Sequence, residues 1–93
     1  MKIATFSWDA LTVTVAGRRI QLDITEAKVL RYLWLERQTV SMATLAKFAI
    51  GGGAKPNTAG VYVMRLRGLL GHDTISTVVG RGYRLQLGLR MAP

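Results

Sequence analysis

Two arginines stand where a side chain could do recognition chemistry. Arg65 lies in the run Asn57-Thr58-Ala59-Gly60-Val61-Tyr62-Val63-Met64-Arg65-Leu66-Arg67-Gly68-Leu69-Leu70, and Arg81 stands between two glycines in Val79-Gly80-Arg81-Gly82-Tyr83-Arg84. A guanidinium is a planar fork of N–H donors that can engage two acceptors at once. Carried on a helix, it matches the O6 and N7 acceptors of guanine in a major groove, where a branched apolar neighbour such as Val61 meets a thymine methyl. Carried at the end of a thin ribbon, it can enter a narrow minor groove, where the potential is most negative.

Helical spacing divides the first run into two faces. Ala59, Val63, Leu66 and Leu70 recur at i, i+4, i+7 and i+11 and define a buried stripe. The opposite side presents Thr58, Val61, Arg65 and Gly68, with Met64 alongside. That face is sparse in charge for a solvated helix, and its glycines each cost about 1 kcal/mol relative to Ala. Small and apolar groups around a lone Arg suit base edges, and Gly60 and Gly68 would allow close backbone approach. Packing of Val61 and Met64 against a protein is the competing reading. Asn57 or Thr58 is expected to cap the helix.

The ribbon follows at once. Thr74 to Val79 and Gly82 to Leu87 are β-rich runs on either side of a Gly-Arg-Gly tip, and glycine supplies the positive φ that a tight turn demands. Taken alone, Arg81 reads as a solvated tip charge; beside the helix it reads as a groove-entering cation.

Upstream elements must hold these two in place. Ile3, Phe6 and Trp8 supply a first strand, Leu11, Val13 and Val15 alternate with Thr12 and Thr14 in a second, and Ile20-Gln21-Leu22 returns as a third after a turn at Gly17-Arg18. Asp23-Ile24-Thr25-Glu26 fits a capping box. Behind it, Glu26, Val29, Leu30 and Leu33 share a face, widened by Ala27 and by Trp34, which is expected in the core. Ser41 is expected to cap a shorter helix that buries Leu45 and Phe48 and ends by Gly51. Gly51-Gly52-Gly53-Ala54-Lys55-Pro56 reads as a linker; three glycines can also form an anion nest, but no phosphate-loop pattern accompanies them.

Composition narrows the function. Ninety-three residues with 49% apolar content make one domain, 1–93. It divides into a β-meander over about 1–22, three helices over 23–70 and a hairpin over 74–87. Net charge is +8, and residues 47–93 carry seven cations against the single acid Asp73. A polyanion relieves that self-repulsion, so nucleic acid is the favoured partner. The absence of cysteine excludes thiol chemistry and accords with a cytoplasmic location, and a nucleic-acid partner would make it nucleoid-associated. Neither a signal peptide nor a membrane span is legible. Five acids and one histidine leave little for catalysis. His72-Asp73 reads as a turn pair, metal-ligand spacing is absent, and no enzyme activity, cofactor or small-molecule substrate is expected.

In this order, the motifs resemble the winged-helix DNA-binding domain of the OmpR/PhoB family of bacterial response regulators, over about residues 11 to 87. The likeness rests on Leu22-Asp23-Ile24-Thr25-Glu26 with Val29-Leu30, on Val40-Ser41 with Leu45, on Thr58 through Leu70, and on Ile75-Ser76-Thr77-Val78 with Gly80-Arg81-Gly82-Tyr83-Arg84-Leu85. It implies an α+β fold: a winged helix-turn-helix with an N-terminal antiparallel sheet, three helices and a C-terminal hairpin wing. It further implies a regulator of bacterial or phage transcription that binds double-stranded DNA, as a tandem homodimer on direct repeats. Family members touch RNA polymerase through the loop before the third helix, and that loop departs here as the Gly-rich run 51–56.

By position, Val61 and Arg65 would read bases, with Thr58 and Met64 beside them. Asn57, Gly60, Tyr62, Arg67, Thr77, Tyr83 and Arg84 would lie along the DNA backbone, and Arg81 in the minor groove. Three positions depart from the family pattern: Gly60 is often acidic, Met64 often cationic, and the wing Arg usually stands at Val79. The family's receiver domain has no room in this chain. Met1-Lys2-Ile3 reads as a natural N-terminus, leaving a stand-alone binder or one piece of a longer protein. The alternative function is a winged-helix protein-interaction module that does not bind DNA specifically.

Overall fold

The computed structural model describes residues 2–92. Three strands, β1 (Ile3–Ser7), β2 (Thr12–Val15) and β3 (Arg18–Gln21), form the expected antiparallel meander. Register explains its buried face: Ala4 pairs with Val15, Phe6 with Val13, and Val13 with Ile20, and all five side chains are buried. Alternation then turns Thr5, Thr14 and Arg19 to the other face. Ile3 is 63% exposed, and both Trp8 and Leu11 fall outside the strands, so Phe6 anchors β1 to the core.

Helix α1 (Ile24–Glu36) begins with the predicted capping box. The Asp23 carboxylate accepts from the Glu26 N–H at 2.7 Å, and the Asp23 N–H donates to Glu26 Oε1 at 2.8 Å. Val29, Leu30 and Leu33 on this helix meet Val63 and Leu66 of α3 (Pro56–Leu70) in the same fully buried core. Each such side chain contributes about 1.5–3 kcal/mol through removal from water.

Between them, Ser41 caps α2 (Met42–Thr44) by accepting from the Thr44 N–H at 3.1 Å, and the chain then widens into a π-helix over Leu45–Ile50. The wider turn corrects one expectation. Leu45, Ala46 and Ala49 face inward, whereas Phe48 is swung aside and left 63% exposed. A second correction concerns Trp34, which is half-buried in a groove with Arg37, Arg84 and Leu89 rather than in the core. It lies just beyond the α1 stripe that ends on Leu33.

The third correction is at the start of α3. Lys55 occupies the cap position without a side-chain hydrogen bond, and Pro56 is the first helical residue, ahead of Asn57 and Thr58. Proline has no N–H to satisfy and a φ already suited to a helix, so no side-chain cap is required.

The hairpin is shorter than expected, with β4 (Ile75–Val78) and β5 (Gly82–Leu85) paired antiparallel. A further strand, β6 (Gly88–Met91), runs parallel to β1 with Ile3 opposite Gly88 and Phe6 opposite Met91. The main sheet, ordered β3-β2-β1-β6, is therefore mixed rather than purely antiparallel.

Candidate nucleic-acid interface

Helix α3 and the hairpin are fastened to each other. Arg67 Nε donates to the Ile75 carbonyl at 2.8 Å, its Nη2 donates to the Thr77 hydroxyl at 2.7 Å, and the guanidinium lies 5.5 Å from the centre of the Tyr83 ring. Tyr83 also exchanges backbone hydrogen bonds with Val40 at 2.8 and 2.9 Å, which pins β5 to the segment entering α2. This contact explains Gly82. Its φ is +141°, and any Cβ there would collide with the Val40 carbonyl and the Ser41 backbone.

With Ala59, Val63, Leu66 and Leu70 buried, α3 offers an outward strip of Val61, Met64, Arg65 and Gly68. Val61 is 49% exposed and Met64 70%, values that make this strip an apolar surface as much as a basic one. Arg65 Nη1 stands 3.8 Å from Asp23 Oδ2, and its guanidinium lies 4.9 Å from the Tyr62 ring centre. Roughly half of the Arg65 side chain still faces solvent. Asn57 is exposed at the start of the strip, and Thr58 and Gly60 are half-buried. A Cβ on Gly60 would touch the Tyr83 hydroxyl at 3.5 Å and Met42 Sδ at 3.9 Å, so Gly60 faces the wing contact.

At the wing tip, Val79, Gly80 and Arg81 are exposed, and Val79 reaches 92%. A groove lined by Met42, Pro56, Val78, Tyr83 and Arg81 separates the tip from α2 and the start of α3. Strand alternation sends Tyr83 and Thr77 toward Arg67. Their neighbour Arg84 is not brought to this face; it lines the groove beside Trp34 and Arg37.

Of the residues singled out in the sequence, the structure gathers Asn57, Thr58, Gly60, Val61, Tyr62, Met64, Arg65, Arg67, Thr77 and Tyr83 around one helix and the wing packed on it. Arg67 and Thr77 spend hydrogen-bonding capacity on each other. Asp23, known from the sequence only as a helix cap, joins the group through Arg65. No local pattern signals that pairing, because it links the first helix to the third. Val79 is marked in the sequence only as a departure from the family's wing pattern; its exposure at the tip is a property of the turn. Among the described residues, no cluster of His, Cys, Asp or Glu is placed to hold a metal, and no helix is long and apolar enough to cross a membrane.

Comparison with known proteins bears on this geometry. Residues 17–85 match the family described as transcriptional regulatory protein, C terminal, and the chain belongs to that family. It is thus an OmpR/PhoB-type winged-helix domain of the DNA-binding transcriptional regulators, a family that is not an enzyme class. The chain is similar to the C-terminal domain of the nisin resistance regulator NsrR, at 31% identity and a TM-score of 0.67, over 80% of this chain and 82% of that one.

Its fold is also that of the response regulator AdeR DNA-binding domain, solved in complex with an intercistronic region. There the TM-score is 0.77 and identity 22%, over 88% of this chain and 92% of that one. The DNA-binding domain of CpxR from E. coli gives a TM-score of 0.72 and 24% identity, over 89% and 88% of the two chains. No curated protein matches this chain in sequence.

Proposed function

We propose that this domain is a sequence-specific regulator that binds double-stranded DNA with α3 in the major groove and the wing at the adjacent minor groove. The observation that carries the reading is the Arg67 clamp, which ties the helix bearing the exposed Val61–Met64–Arg65 strip to the wing. Within it, Arg65 donates to guanine and Val61 meets a thymine methyl, with Thr58 and Met64 at the edges of the reading surface.

Phosphates are held by Asn57 at the start of α3 and by Tyr62 and Tyr83. Arg67 and Thr77 contribute chiefly by positioning. Arg81 enters the minor groove with Val79 beside it. The complex of AdeR with an intercistronic region supports a duplex DNA partner. The OmpR/PhoB resemblance extends the proposal to a second copy on a direct repeat, to RNA polymerase and to a cytoplasmic setting.

Duplexes selected from a random pool, followed by binding across salt concentrations, test the reading. Arg65→Ala is expected to cost about 1–3 kcal/mol at the selected site and to relax preference at one base pair. Unchanged affinity and unchanged preference would remove Arg65 from base reading. One observation favours a second function: Val61 and Met64 are apolar enough to grip a protein. A domain that retains no duplex even at low salt, yet forms a stable protein complex through Met64, would fit that reading instead.

A further inference from the structure

We propose that Asp23 is a specificity-determining residue, restraining Arg65 so that it favours a base edge over a phosphate. The inference rests on the proposed base-reading role of Arg65 and goes beyond it, because Asp23 belongs to a different helix. One carboxylate oxygen, Oδ1, is committed to the Glu26 N–H at 2.7 Å, and the Asp23 N–H is committed to Glu26 Oε1 at 2.8 Å. The first of these bonds holds the carboxylate in place, and the second fixes the backbone that carries it. Its other oxygen, Oδ2, is left facing Arg65 Nη1 at 3.8 Å. Tyr62 flanks the same guanidinium at 4.9 Å.

At that distance, with both side chains about half exposed, the pair contributes little to folding. Its effect falls on the choice of ligand. A phosphate approaching Arg65 meets a fixed negative charge a few ångströms behind the guanidinium. Exchanging one anion for another gains little, and the two anions repel. Guanine offers neutral acceptors, feels far less of that repulsion, and takes the outer N–H groups while Asp23 keeps its hold on Nη1. Backbone contact is thereby penalised more than base contact. Since specificity is a difference of affinities, a penalty on the wrong ligand raises it.

Asp23→Asn isolates the charge, because Asn caps helices about as well as Asp. Dissociation constants would be measured for a selected duplex and a scrambled one, in the wild-type domain, Asp23→Asn, Arg65→Ala and the double variant. Asp23→Asn is expected to tighten the scrambled duplex by about 3–10-fold and the selected duplex by less than about 2-fold, so the ratio between them falls. In the Arg65→Ala background the same change should move both duplexes equally.

Equal tightening of both duplexes in the wild-type background would show only a net-charge effect and overturn the inference. So would an unchanged ratio. Thermal midpoints accompany each variant, and Asp23→Ser, a second strong cap, replaces Asp23→Asn if that protein is less stable. Failure here is distinct from failure of the base-reading proposal. A wild-type domain with no preferred duplex defeats both, whereas a clear preference that Asp23→Asn leaves intact defeats this one alone.

Discussion

Arg67 of α3 lies across the wing, with Nε on the Ile75 carbonyl and Nη2 on the Thr77 hydroxyl. A cation that the family resemblance places on phosphate is therefore first a fastener between α3 and the wing. Losing it should cost both stability and binding. Arg67→Ala is expected to lower unfolding free energy by about 1–3 kcal/mol, the worth of charge-assisted hydrogen bonds, and to weaken selected and scrambled duplexes alike. Urea titration and anisotropy on the same samples check both effects. Unchanged stability with weakened binding would return Arg67 to a purely phosphate-contacting role.

Two wing glycines should respond differently to alanine. At Gly82 the φ of +141° and the approach of the Val40 carbonyl leave no room for a methyl, whereas at Gly80 a Cβ meets nothing within 4 Å despite a φ of +74°. Backbone strain alone predicts a loss of about 1–3 kcal/mol at either site. Gly82→Ala adds the collision, so its loss should be clearly the larger. Thermal unfolding of the pair checks the order, and equal losses would mean that β5 does not press against Val40 in solution.

The π-helix makes a prediction about two apolar residues. Leu45 is fully buried and Phe48 mostly exposed. Leu45→Ala should cost about 2–5 kcal/mol, while Phe48→Ser should stay within about 0.5 kcal/mol. A large loss from Phe48→Ser would restore the regular α-helix expected from the sequence.

The wing arginines are predicted to separate. Arg81→Ala should reduce the slope of log affinity against log salt by about 0.9, the share of one released counterion. Arg84→Ala, on the side facing Trp34 and Arg37, should leave that slope nearly unchanged. Titrations at several salt concentrations decide, and a larger effect from Arg84 would place the DNA on the opposite side of the ribbon.

Much of this architecture is written locally in the sequence. The Asp23–Glu26 box, the Val13/Val15 alternation, the Ala59–Leu70 stripe and the glycine-flanked tip each need only a few neighbouring residues, and each forms where expected. Features that depend on distant partners were not legible. Strand β6 is four residues without alternation, and it becomes a strand only because β1 offers an open edge. Phe48 depends on how tightly one turn winds, and Trp34 on where α1 meets the wing. The same holds at the interface. Arg65 is recognisable from helical spacing, but its pairing with Asp23 exists only after α1 and α3 have packed.

Chemical footprinting of one selected duplex tests the two-groove claim most directly. Dimethyl sulfate reports guanine N7 in the major groove, and hydroxyl radicals report the sugars along the minor groove. Bound protein should protect a guanine N7 that becomes reactive again with Arg65→Ala, and a neighbouring minor-groove segment that is exposed again with Arg81→Ala. Saturating binding that protects no guanine N7, or protection that both variants leave unaltered, would contradict α3 in the major groove with the wing beside it.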